Sequence, residues 1–129
     1  MDQPPNDALV TFVYVEDLDR SAGFYGETLG LSLVLVQAHC RLYRVTTGGF
    51  IGICQSGDRP TTPEGLVITL VRDDVDEFCA SLAAKGVEFE QPPTQNERFA
   101  IYNAFLRDPD GHLVEVQRFD DEDWHEPLT

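Results

Sequence analysis

Apolar and polar residues alternate from Val10 to Val15, with Thr11, Val13 and Val15 on one face and Val10, Phe12 and Tyr14 on the other. That period predicts a strand. Leu18, Ala22, Tyr25 and Leu29 then recur at helical spacing, behind Asp17 or Asp19 as N-cap and Ser21 in the first turn. Gly30 supplies a left-handed stop. Leu31 to Gln37 is apolar and rich in β-formers, Arg41 to Thr46 alternates, Gly48-Gly49 is a tight turn, and Phe50 to Gln55 is a further strand. The first half therefore reads β, α, β, β, β.

Ser56 to Gly65 is a loop by composition, with Gly57, Pro60, Pro63 and Gly65. The plan then restarts. Leu66 to Arg72 is a strand, Asp73 or Asp74 caps a helix, and Val75, Phe78, Cys79 and Leu82 form its inner stripe. Gly86 ends the helix. Val87 to Glu90 is a short strand, Gln91 to Arg98 a polar, Pro-containing loop, and Phe99 to Leu106 a strand. Asp108-Pro109-Asp110-Gly111 is a turn, and Leu113 to Arg118 closes the unit.

The halves match by arithmetic: Asp17 to Asp74 is an offset of 57, Gly30 to Gly86 of 56, and Gly48 to Gly111 of 63. An internal repeat outranks any single propensity. The expectation is one α+β domain over 1–129, made of two tandem βαβββ modules, 9–55 and 66–118, with an acidic tail, 119–129. Each half is small for a core of its own, so the two are expected to share one. Two curved mixed sheets facing each other would enclose a pocket suited to a small ligand.

Hydrophobic residues make up 42% of the 129, enough for a packed core. No apolar run approaches a membrane span, and Met1 to Ala8 lacks an apolar signal core, which points to a cytoplasmic protein without membrane partners. Three cysteines, Cys40, Cys54 and Cys79, are odd in number and widely spaced, and are read as reduced thiols. A net charge of −14 repels phosphate backbones and excludes nucleic acid as a partner, while it suits a cation. Part of that charge is the solvated run Asp120 to Asp123.

Three motifs occur in order: Val15-Glu16-Asp17-Leu18-Asp19-Arg20-Ser21 leading to Phe24-Tyr25 and Leu29-Gly30-Leu31; Asp74-Val75-Asp76 leading to Gly86-Val87; and Asp108-Pro109-Asp110-Gly111 leading to Glu115. In this order they resemble the vicinal oxygen chelate superfamily of glyoxalases, bleomycin-resistance proteins and extradiol dioxygenases, from about Leu9 to Arg118. The resemblance implies paired βαβββ modules cupping a pocket, and often a homodimer. It also implies metal ligands on the first and last strand of each module. Carried over, those positions are Val10, Gly52, Val67 and Glu115, or Leu66 in place of Val67 after a one-residue slip. Only Glu115 among them can ligate, so no metal or other cofactor is expected, although a divalent ion held by a rearranged set drawn from Cys54, His39 or His112 stays open. His39 and His112 otherwise read as exposed loop residues and His125 as tail.

Glu115 follows a turn and sits among apolar strand neighbours, so it needs a partner, a ligand or a proton. As a catalytic residue it would project into a pocket lined by Phe12, Tyr14, Phe50, Cys54, Thr69 and Leu113, where an apolar wall can tune a general acid or base. As a structural residue it would pair with Arg41, Arg44 or Arg98. The main expectation is a protein that binds an organic ligand, cationic if the charge is a guide, in the manner of the bleomycin-resistance branch of antibiotic resistance. The alternatives are a metal-dependent lyase, isomerase or dioxygenase, and an interaction protein whose Trp124 docks on a partner rather than on its own domain.

Overall fold

The computed structural model describes residues 5–58, 60–61, 64–124 and 127. His125 and positions 59, 62 and 63 of the expected connecting loop lie outside the described residues. The chain divides into two compact units, residues 1–62 and 63–129.

The first unit runs β1 (Leu9–Val15), α1 (Leu18–Ala22), a π-helical stretch (Gly23–Thr28), β2 (Ser32–Val36), β3 (Cys40–Thr46) and β4 (Gly49–Gln55). Its four strands lie in the order β1-β4-β3-β2, with β1 parallel to β4 and the other pairs antiparallel. Asp17 is the N-cap: its side chain accepts from the Arg20 backbone N–H at 3.1 Å, which satisfies one orphan donor of the first turn. The helix is widened after Ala22, where the Leu29 N–H donates to the Phe24 carbonyl five residues back. Gly30, at φ +76°, then turns the chain into β2. The helix covers one sheet face. Val13, Val15, Tyr25, Leu29, Tyr43, Ile51 and Ile53 are buried there, each contributing about 1.5–3 kcal/mol by leaving water.

One expectation fails in this unit. Cys40 and Cys54 are directly opposed in the β3–β4 ladder, with Cα atoms 4.2 Å apart, and form a disulfide, leaving Cys79 as the free cysteine among the described residues. Spacing along the chain carries no information on ladder register, so the pair was invisible in the sequence. The pairing withdraws cysteine usage as an argument for a reducing compartment.

The second unit repeats the plan with β5 (Val67–Val71), α2 (Val75–Ala84), β6 (Phe89–Asn96), β7 (Ile101–Arg107) and β8 (Leu113–Phe119), ordered β5-β8-β7-β6 with β5 parallel to β8. Val75, Cys79 and Leu82 of α2 are buried, as are Ile68, Leu70, Ala104, Leu106, Val114 and Val116 of the sheet. Asp74 occupies the N-cap position without capping; Arg72 holds its carboxylate at 2.7 and 2.9 Å instead. Tyr102 donates to Asp76 at 2.5 Å, tying β7 to α2. A short 3-10 turn, Glu122–Trp124, follows β8, and the Trp124 ring stacks on Phe119 at 4.5 Å. Trp124 is therefore an anchor on its own unit.

Two further expectations are corrected here. Gln91 to Arg98 is not a loop: most of it belongs to β6, which runs through Pro92-Pro93. β6 is an edge strand, where a residue without an N–H is tolerated, and its pairing with β7 is irregular between Phe89 and Thr94. His112 is not exposed but 2% accessible. The turn folds it inward: Asp108 Oδ1 accepts from the backbone N–H groups of Asp110 and His112 at 2.9 and 2.7 Å, and the imidazole Nε2 lies 3.8 Å from Asp108 Oδ2. Among the described residues, no helix is long and apolar enough to cross a membrane.

Candidate functional site

Glu115 stands at the centre of β8, flanked in the ladder by Thr69 of β5 and Phe105 of β7. It is 8% exposed, and its partners are polar rather than the apolar wall expected. The Thr69 hydroxyl donates to Oε1 at 2.8 Å, and Asn103 Nδ2 donates to Oε2 at 2.7 Å. Gln117, on the same strand face, satisfies its amide only with the nitrogen toward the carboxylate, 3.0 Å from Oε1. A carboxylate in such a site is stabilised by donors rather than by a counter-charge. The expected arginine partners are engaged elsewhere. Arg41 donates to the Gln37 and Cys40 carbonyls, Arg44 lies over Phe50, and Arg98 lies over Phe99.

A second tier of polar groups continues outward. Gln91 Nε2 donates to Asn103 Oδ1 at 3.2 Å and to the Asn103 carbonyl at 3.3 Å. Beside it opens a pocket of about 590 Å³ whose lining includes Glu115, Asn103 and Gln91 as polar groups and Phe99, Ile101 and Phe105 as apolar ones. Every residue that lines it belongs to the second unit, and no lysine, arginine or histidine is among them. Ala100, at φ 51°, lies in the β6–β7 turn between the lining residues Phe99 and Ile101.

Of the seven residues expected to form the site, Glu115 lines this pocket and Thr69 bonds to it. Leu113 is two residues up-strand of Glu115, between Val67 and Arg107, and does not line it. Phe12, Tyr14, Phe50 and Cys54 share one face of the first sheet, opposite the helix-covered side. Cys54 there carries the disulfide. Gln91 and Asn103 were missed, since Gln91 fell in an assumed loop. An asparagine amid the apolar residues of Ile101 to Leu106 was the available signal.

The metal positions carried over from the resemblance are not ladder neighbours of one another. Val10 faces Phe50 and Val67 faces Leu113, whereas the ladder neighbours of Gly52 and Glu115 are Phe12 and Thr69. Those neighbours keep the repeat offsets: Phe12 to Thr69 is 57 and Gly52 to Glu115 is 63. At Gly52 the Phe12 ring lies so close that a Cβ would come within 2.5 Å of it. Around Glu115 the side-chain groups are a hydroxyl and two amides, all turned to donate, and the described residues contain no cluster of three or more His, Cys, Asp or Glu able to hold an ion. These residues do not fit the divalent centre that the fold family implies.

The fold has known counterparts. A glyoxalase/bleomycin resistance protein/dioxygenase from Alicyclobacillus acidocaldarius is similar at a TM-score of 0.76 and 20% identity, over 96% of this chain and 99% of that one. Lactoylglutathione lyase from Agrobacterium tumefaciens is similar at 0.75 and 22%, over 95% and 98%. TioX from Micromonospora sp. ML1 is similar at 0.74 and 23%, over 88% and 98%. No curated protein matches the sequence. At such identities the structures establish the fold alone. The family model that describes the Glyoxalase/Bleomycin resistance protein/Dioxygenase superfamily matches residues 8–116, and the chain belongs to that superfamily.

Proposed function

We propose that this chain binds a small organic molecule, cationic or uncharged, in the pocket of its second unit. The observation that carries the reading is a pocket of about 590 Å³ lined by a buried, hydrogen-bonded carboxylate and by aromatic residues, with no basic lining residue. Such a concave site with a few fixed polar groups is what small-ligand sites require. Glu97 and Glu115 line it, and the whole chain carries −14, so anions are disfavoured. Glu115 supplies orientation rather than metal ligation in this reading.

A thermal-shift screen of aromatic amines, amides and acids tests it, with pocket occupancy checked by amide NMR. A true ligand at about 100 times its Kd stabilises the folded state by about 2.7 kcal/mol. It moves the resonances of Phe99, Ile101 and Phe105. A flat screen, or shifts confined to other residues, removes the proposal. The same reading takes the chain as a homodimer. Edge strand β2 supports the dimer, because Leu33, Val34, Leu35 and Val36 are all exposed on it and an edge of that kind invites pairing.

A further inference from the structure

Glu115, Asn103 and Gln91 form a chain of groups with a direction. A carboxylate accepts and does not donate, so Asn103 must turn its Nδ2 toward Glu115. The other end of that amide, Oδ1, then faces Gln91 and must receive a donor. Gln91 meets it with Nε2, which also reaches the Asn103 carbonyl. Both Gln91 contacts use the nitrogen, which leaves Oε1 without a protein donor among the described residues, on a side chain that lines the pocket. Thr69 and Gln117 complete the donors around the carboxylate and hold it in place.

Resting on the binding role proposed above, we propose that the pocket selects molecules that present an N–H donor to Gln91 Oε1, and that Glu115 is a positioning residue that sets this polarity through Asn103. The ligand class is an aromatic or otherwise apolar body with a terminal amide, amidine or amine. A site built to accept a hydrogen bond rejects the analogue that lacks the donor, because its own acceptor is then left buried and unpaired.

The test uses benzamidine, benzamide and acetophenone, three planar molecules of similar shape. Benzamidine carries a charged N–H donor, benzamide a neutral one and acetophenone none. Titrations of the full chain are followed by ¹H–¹⁵N NMR, including the side-chain amide signals of Gln91 and Asn103. Benzamide is expected to bind about tenfold more tightly than acetophenone, the size of one well-formed hydrogen bond. Benzamidine is expected to bind at least as tightly as benzamide. In Glu115→Gln the new side chain can donate as well as accept, so Asn103 can turn over and the benzamide preference falls to about threefold or less. Gln91→Leu, on an edge strand and half-buried, tests the same loss without touching the carboxylate.

Acetophenone that binds as well as benzamide, with both shifting Phe99 and Phe105, overturns the selection and leaves the binding role standing. A preference unchanged in both variants does the same. Benzamidine that binds while benzamide does not shows that charge alone is read, which also overturns it. No pocket shift from any of the three removes the binding role and the selection together.

Discussion

Ala100 holds a φ of 51° at the turn between β6 and β7, in the left-handed region that a side chain normally avoids at a cost of about 1–2 kcal/mol. The turn is closed around it: its N–H donates to the Glu97 carbonyl, and its own carbonyl accepts from Asp120. Ala100→Gly should remove the steric penalty and, after glycine's entropic cost, stabilise the fold by about 0.5 kcal/mol. Ala100→Val should cost more than about 1 kcal/mol, since a β-branched residue tolerates that region least. Urea unfolding of the pair checks both, and a valine variant as stable as the parent would refute the strain. At this scale the sequence was legible where a residue type broke its surroundings. Glu115 stood out on its strand, and it does line the pocket. Gln91 did not, because nothing in Gln-Pro-Pro distinguishes a loop from an irregular edge strand.

At the scale of elements, period and punctuation in the sequence were enough for most of the plan. The alternation of Val10 to Val15 and the glycines Gly30 and Gly86 each fell where the pattern placed them, and of the stripe Val75, Phe78, Cys79 and Leu82 all but Phe78, half-buried under the Arg72 guanidinium, are buried. What failed was anything that depends on which strand lies beside which. The Cys40–Cys54 disulfide is a fact of ladder register, and Pro92-Pro93 became strand because β6 has one neighbour only. The cysteines give a direct check. Burial pushes the Cys79 thiol up to about 11, with Asp76 adding to the effect. At about pH 8 native protein should therefore show no fast-reacting thiol with an aromatic disulfide reagent, and reduction should release two that react ahead of the third. One fast thiol before reduction would contradict the burial of Cys79; three would contradict the disulfide. Because that folded pKa lies above the ordinary thiol value of 9.0, the neutral thiol favours folding below about pH 9 and the contribution is lost as pH rises toward about 11. Thermal unfolding across that range should decline, and more steeply than in Cys79→Ala.

For the molecule as a whole, −14 over 129 residues means self-repulsion. Ion pairs such as Arg72–Asp74, Arg107–Glu90 and Arg118–Asp120 are substantially exposed, so screening them costs little. Raising sodium chloride from about 0.02 M to about 0.5 M should therefore raise the melting temperature by a few degrees, the Debye length shrinking below the spacing of most surface charges. A fall in melting temperature would show that the pairs outweigh the repulsion. The ring of Phe12 laid across Gly52 has a consequence of its own. The same two ladder positions hold Thr69 and Glu115 in the other half, so within the repeated plan only one half carries polar groups at this spot. Inheritance can be thrifty with one copy and careless with the other. Substitutions should accumulate freely around Phe12 and Gly52 as long as they stay mutually compact, while Thr69 and Glu115 stay fixed.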